Sequence, residues 1–282
     1  MPQDYLTPRI ESDLTAEFVS VGKGVVVEPG VTFKGKDGPM RSIVLGDFCF
    51  LGGGTKVVVP EFRLGDYSKL HGPSLLIGDL PLRIGRNCWI GQGSVLDSNG
   101  GLDIDDNVCV GVQSQLLTHA RFGDIVEGSR FHCTRYMYVP PDVWFAGQCT
   151  VQPVNIERRA MALAGSVVTH DMVENHVYAG VPAIDITDRI GPQFADVTVE
   201  QKRDKLTEIL DAFLVSRPEH AGLIRVITDE GDEKPGVTNV NVATRTYTQT
   251  FGRAEVDFFR VHVPIIKFTP KGAPPFVVRG GA

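Results

Sequence analysis

The chain has 282 residues, 42% of them hydrophobic, with 34 acidic against 28 basic side chains and a formal charge of −6. That length suits one large domain, or a domain with a smaller partner. The acidic balance argues against a nucleic-acid binder, which carries a basic patch, and no apolar run approaches a membrane span. The opening MPQDYLTPRI lacks the basic and apolar regions of a signal peptide, so a cytoplasmic location is expected. Five cysteines, odd in number and without CxxC spacing, point to free thiols rather than to a disulfide framework or a zinc site.

Along the chain, a first segment of residues 1–20 shows no repeat. A six-residue beat follows, in hexads beginning at Leu45, Leu51, Leu64, Leu70, Ile84, Ile90, Ile104, Val110, Val139, Phe145 and Leu163. The first position is aliphatic or Phe. The second is mostly a residue suited to tight turns, such as Gly46, Gly52, Gly65, Gly85, Gly91 and Gly111. The fifth is small, as in Cys49, Thr55, Ser68, Cys88, Ser94 and Cys149, which gives these cysteines a packing role. A helix would show a period of 3.6 and a half-buried strand a period of 2. A triangular coil of three short parallel strands accounts for the beat, with bulky side chains inward and small residues at each corner.

On these residues the chain resembles the hexapeptide-repeat acyltransferases of the acetyl-CoA-dependent O-acetyltransferase type. The most specific stretch is LAGSVVTHDMVENHVYAGVPA, residues 163–183, which resembles the terminal coil and AGxPA loop of that family. IDDNVCVGVQSQLLTH and VPPDVWFAGQCTVQPVNI match further coils. The resemblance implies a mainly β fold, a left-handed parallel β-helix over residues 21–191, with a protruding loop at about 120–138.

Where the beat stops, LLTHARFGD places His119 at the fourth position of its hexad, above Asn99 in the coil beneath. By alternation that position faces outward, and the repeat-breaking loop beside it is of the length that commonly carries function. In the family it resembles, the histidine here is the catalytic base. An imidazole suits proton removal from a hydroxyl or amine attacking a thioester at neutral pH. Asp97 and Asn99 either orient His119, hold the acceptor, or simply make the DSNGG turn. Among the other histidines, His71 takes a turn position and lines a neighbouring wall, while His132 with Arg130 and Arg135 is placed to touch an acceptor or a neighbouring chain. His170 and His176 fall at exposed positions of the terminal coil, and His220 and His262 lie outside the repeat.

The resemblance also implies acetyl-CoA, or another acyl-CoA, as co-substrate, a groove between adjacent helices of a homotrimer, a small-molecule acceptor and no metal. The positions it carries over for the coenzyme are Trp144, Ala146, Gly147, Ala164, Gly165, Ser166, Gly180 and Pro182, where small residues let a pantetheine arm approach the backbone. Ile184 stands where the family has a basic residue, with Arg158, Arg159 or Arg189 as substitutes. A γ-carbonic-anhydrase reading requires a second histidine five residues after His119. Asp124 stands there. A non-catalytic β-helix scaffold is the remaining alternative.

From about Gly191 the hexads end, and residues 192–282 read as a small α+β module. Thr198 and Gln201 have capping-box spacing, ahead of a helix with Leu206, Ile209, Leu210, Phe213 and Leu214 on one face. Strands are expected at 223–228, 240–250 and 255–268.

Overall fold

The computed structural model describes residues 4–274. The chain divides into two compact units, with the break between Phe194 and Ala195. The first is a parallel β-helix of three sheets. One face holds ten strands, among them Phe50–Leu51, Trp89–Ile90, Cys109–Val110, Trp144–Phe145 and Met161–Ala162. The second face has seven, including Leu75–Ile77, Val95–Asp97, Gln115–Leu116, Thr150–Val151 and Val167–Val168. The third has six, including Leu82–Ile84, Leu102–Ile104 and Met137–Val139.

The register follows from the hexads. Ile84 pairs with Ile104, Ile90 with Val110 and Leu96 with Leu116, each parallel and one coil apart. These first-position side chains fill the axis of the helix and are fully buried. Burying each contributes about 1.5–3 kcal/mol. Fifth-position hydroxyls are buried too and donate to corner carbonyls. Ser68 bonds Gly85 O at 2.6 Å, and Ser94 bonds Gly91 O at 2.7 Å.

Three sequence expectations change in detail. The second-position glycines are required by coil spacing rather than by a bend: a Cβ on Gly85 would lie 2.6 Å from the Asp105 carbonyl carbon, and one on Gly111 2.3 Å from Ala146 O. The left-handed residues sit two positions later, at Tyr67, Asn87, Asn107 and Gln148. The last hexad is framed on Ala162, which is fully buried, and not on Leu163, which is half-buried; its fifth residue is then Ser166. Coils also begin before residue 21, because Arg9–Ile10 and Ala16–Val21 already pair with Val26–Val27 and Met40–Leu45.

The second unit holds a four-stranded sheet. Ile224–Ile227 runs parallel to Thr238–Asn241, which pairs antiparallel with Thr246–Tyr247, itself parallel to Thr269–Pro270. The helix Val199–Ser216 starts with the expected capping box, Gln201 N to Thr198 Oγ1 at 3.2 Å and Thr198 N to Gln201 Oε1 at 2.8 Å. The strand expected at 255–268 is instead largely the helix Arg253–His262. That run is rich in residues that favour strands, Val256, Phe258, Phe259, Val261 and Val263. Yet the adjacent Phe258 and Phe259 are both buried with Glu255 and Ala254, the i, i+3, i+4 grouping of a helix face.

Candidate functional site

His119 leaves the second face just after Gln115–Leu116 and opens a short antiparallel hairpin, pairing with Thr134 while Ala120 pairs with Cys133. The hairpin is the protruding loop. It adds fifteen residues to one coil, lengthening the step from 20 to 35. The hairpin pairing with Thr134 and the N–H bond to the Asp97 carboxylate fix the His119 backbone. The ring stands outward, half-exposed.

The coil beneath supplies its partner. Asp97 ends the strand Val95–Asp97, and its side chain is buried. Its Oδ2 lies 2.6 Å from His119 Nδ1 and accepts the backbone N–H groups of Thr118 at 2.7 Å and His119 at 3.0 Å. Oδ1 accepts the Asn99 backbone N–H at 3.0 Å and Asn99 Nδ2 at 2.5 Å. Burial alone would raise this carboxyl, but the bonds from His119, Asn99 and Thr118 together hold it below the usual carboxylate range. A carboxylate surrounded by donors requires Nδ1 to carry a proton, which leaves Nε2 as the basic nitrogen. Asn99 Nδ2 also lies 3.2 Å from His119 Nδ1. The structure therefore brings His119, Asp97 and Asn99 together, with Asp97 facing inward to the ring rather than outward.

Thr118 escaped the sequence reading. It is fully buried, its Oγ1 donates to Asp97 O at 2.9 Å, and it accepts Gly100 N at 2.8 Å. Residue 118 locks the turn that carries the carboxylate.

Above His119 lies a cavity of about 660 Å³, bordered by Arg135 and Cys133 of the hairpin, Gln152 and Val154 of the next coil, and His170 and Asp171 of the one after. His170, assigned only to an exposed position, lines this cavity. Sequence stacking could have found these residues, since Val154 and Asp171 occupy the hexad position of His119 in coils begun by Val151 and Val168. His132 and Arg130 lie farther out on the hairpin and do not line it. His71 is packed between Phe50 and Trp89, with ring centroids 5.4 and 4.2 Å away. Burial, aided by Lys69, lowers its pKa.

The residues carried over for the coenzyme lie elsewhere on the coil. Trp144 is exposed on the first face, in register with Cys109 and Met161. Ala146 and Gly147 form the corner from that face to the second. Ala164, Gly165 and Ser166 form the corner above, where Gly165 is left-handed and Ser166 is buried with its hydroxyl on Leu163 O at 2.6 Å. Gly180 and Pro182 flank the turn joining Val177–Gly180 to Ala183–Asp185. None of these lines the His119 cavity, which opens at the opposite corner of the second face. Near the turn, His176 Nδ1 lies 2.5 Å from Asp185 Oδ2. Burial opposes it, but bonds from Thr187 and His176 bring the Asp185 carboxyl down to about 2. Among the described residues, no three His, Cys, Asp or Glu side chains are grouped as metal ligands, and no helix is long and apolar enough to cross a membrane.

No family model matches the chain, and no curated protein matches it. Among solved structures, the chain is similar to a hexapeptide-repeat acetyltransferase of Vibrio cholerae complexed with acetyl coenzyme A, at 22% identity over 50% of this chain and 68% of that one, with a TM-score of 0.35. It is also similar to a variant of an N-acyltransferase of Bacillus cereus in complex with dTDP and coenzyme A, at 15% identity over 71% and 91%, with a TM-score of 0.45. A polysialic-acid-specific acetyltransferase matches at 20% identity over 75% of this chain and all of that one, with a TM-score of 0.43.

Proposed function

We propose that the protein is an acyl-CoA-dependent acyltransferase that moves an acetyl group to a hydroxyl or amine of a small acceptor, with His119 as general base. The observation that carries this reading is the commitment of His119 Nδ1 to the buried Asp97 carboxylate, at 2.6 Å, beside a cavity large enough for a small acceptor. Asp97 is the positioning residue, held in turn by Thr118 and Asn99.

The transfer follows from that arrangement. Nε2 takes the proton of the acceptor hydroxyl or amine as its oxygen or nitrogen bonds to the thioester carbonyl carbon. The tetrahedral intermediate then expels the sulfur, and the C–S bond breaks. The imidazolium returns its proton to the thiolate, giving the acylated acceptor and free CoA. No covalent enzyme intermediate is needed. The Asp97 carboxylate stabilises the imidazolium formed between the two steps.

The coenzyme is placed at the two corners formed by Ala146–Gly147 and Ala164–Ser166, with its nucleotide toward Gly180 and Pro182. Because the corners and the His119 cavity border opposite edges of one face, a donor on one copy serves the histidine of an adjoining copy. Such an arrangement fits a closed three-fold assembly. Trp144 at 43% exposure and, on the hairpin, Phe122, Val126 and Phe131 at 83–101% offer apolar surface for it. The family resemblance, with structural neighbours crystallised with acetyl-CoA or CoA, supports the donor.

The test compares the wild type with His119→Ala, measuring thermal stability with acetyl-CoA and CoA release with a panel of acceptors. Both proteins should be stabilised by acetyl-CoA, by about 2.7 kcal/mol at a hundred times its Kd. The variant should transfer about 10²–10⁴-fold more slowly. No stabilisation of a folded wild type sinks the donor assignment and favours the scaffold. Equal rates sink the role of His119.

A further inference from the structure

Arg135 lines the His119 cavity from the returning strand of the hairpin, just after Thr134. Its guanidinium is held by two neutral oxygens: Nη1 donates to Pro153 O at 3.2 Å and Nη2 to Asn155 Oδ1 at 2.7 Å. Asn155 is itself fixed, because its backbone N–H and its Nδ2 donate to the two oxygens of Asp171 at 2.8 and 2.7 Å. Those bonds come first, and the charges of Arg135 and His170 after them, in holding the Asp171 carboxyl below its usual range.

A guanidinium offers five N–H donors in a rigid fork, and here two meet neutral oxygens. Among the described residues Arg135 makes no salt bridge: the Asp171 carboxylate acts on it only through space, its own oxygens taken up by Asn155. Ordering a long side chain against neutral oxygens is entropically unfavourable, and the through-space attraction of Asp171 returns only part of that cost. An anion that completes the fork supplies the rest, and arginine suits carboxylate and phosphate oxygens by geometry. The chain as a whole carries −6 and repels anions at long range, so their recognition needs a local fixed cation.

We infer that the acceptor carries a carboxylate or a phosphate, taken up by Arg135 while another group of the same molecule is presented to His119 Nε2. The word acceptor rests on the acyl-transfer reading above; the anion site rests on the cavity alone. Arg135 is thus a specificity-determining residue of that cavity, and it leaves the proton transfer to His119.

The test is calorimetric titration of the full chain at low ionic strength with D-glucuronate, D-glucose 6-phosphate and D-glucose. Acetyl-CoA is omitted, so failure of the donor assignment does not touch the result. At least one anionic sugar should bind about 10–100-fold more tightly than glucose, and whichever does so tells carboxylate from phosphate. Arg135→Gln should remove the difference, and Arg135→Lys, which keeps the charge but loses the fork, should retain part of it. Added salt should narrow the gap in the wild type. Equal binding of all three sugars, binding of none, or a preference that survives in Arg135→Gln overturns the inference.

Discussion

Asp97 and His119 meet across one coil step, Oδ2 to Nδ1 at 2.6 Å, with the carboxylate buried and the ring half-exposed. Every neighbour of that carboxylate is a donor: the backbone N–H of Thr118, His119 and Asn99, the Thr118 hydroxyl and the Asn99 amide. An asparagine at 97 therefore sets an NH₂ group against donors whichever way it turns. In Asp97→Asn the ring loses its fixed tautomer, and transfer should fall by roughly 10²–10⁴-fold while acetyl-CoA binding persists. Single-turnover CoA release reads the first and thermal shift the second. A variant with the wild-type rate would remove Asp97 from the transfer step.

Arg86 ties its own coil to the coils on either side of it at another corner. Its side chain, 9% exposed, reaches Asp66 Oδ2 at 3.3 Å and Asp106 Oδ2 at 3.4 Å. Burial raises both carboxyls, against the backbone N–H and arginine contacts that lower them. Replacing Arg86 by Met keeps much of the volume but leaves two part-buried carboxylates without their cation. Breaking such a pair from one side costs about 3–5 kcal/mol, and urea unfolding should read a loss of that order. Neutralising the acids as well, with Asp66→Asn and Asp106→Asn, should recover part of it. A single-variant loss below about 1 kcal/mol would assign the corner to solvent-exposed behaviour.

Two glycines separate steric from conformational demand. At Gly85 a Cβ would lie 2.6 Å from the backbone of Asp105 and Asp106, and neither can retreat without parting two coils. Gly165 has open space around it, but its φ is +75°. Gly85→Ala should therefore destabilise by about 3 kcal/mol or more, as overpacking does at its upper end. Gly165→Ala should lose about 1–2 kcal/mol from the left-handed backbone. Denaturant midpoints of the two variants check the order, and a Gly165→Ala loss exceeding that of Gly85→Ala would reverse it.

Much of the β-helix was legible because each coil repeats the same packing problem. A column of inward apolar side chains from Leu45 to Phe145 keeps its frame, and the position of His119 above Asn99 follows by counting. The frame slips at MALAGS because Leu163 is larger than Ala162 and draws the pattern by one residue, although the alanine is the one that is buried. The Asp97 contact was not legible as such, since aspartate before Ser-Asn-Gly-Gly reads equally well as turn chemistry. The Thr118 and His119 N–H groups, folded over it, hold the carboxylate inward. The Arg135 site was hidden for another reason. Its partners Pro153, Asn155 and Asp171 come from two later coils, beyond a hairpin whose length sets no register of its own.

In the second unit, Glu255 sits on the helix Arg253–His262 and is fully buried. Its Oε2 accepts Thr250 N at 2.6 Å, Thr250 Oγ1 at 2.8 Å and Thr238 Oγ1 at 3.1 Å, while Oε1 has no partner among the described residues. Burial outweighs those bonds and raises its pKa above the ordinary 4.5. The folded chain thus holds this proton more tightly than the unfolded chain. Its contribution to stability is complete below pH 4.5 and is lost as the pH rises through the folded value. Glu255→Gln keeps an acceptor for the threonine donors and never ionises. It should match the wild type below pH 4.5, then become the more stable protein as the pH rises. Glu255→Ala, which takes the acceptor from the buried Thr238 hydroxyl and from the Thr250 N–H, should be the less stable at low pH, by about 1–3 kcal/mol. Unfolding midpoints of the three proteins across that range decide the matter: a wild type that gains on Glu255→Gln toward neutrality would mean the carboxylate is ionised and compensated in the fold.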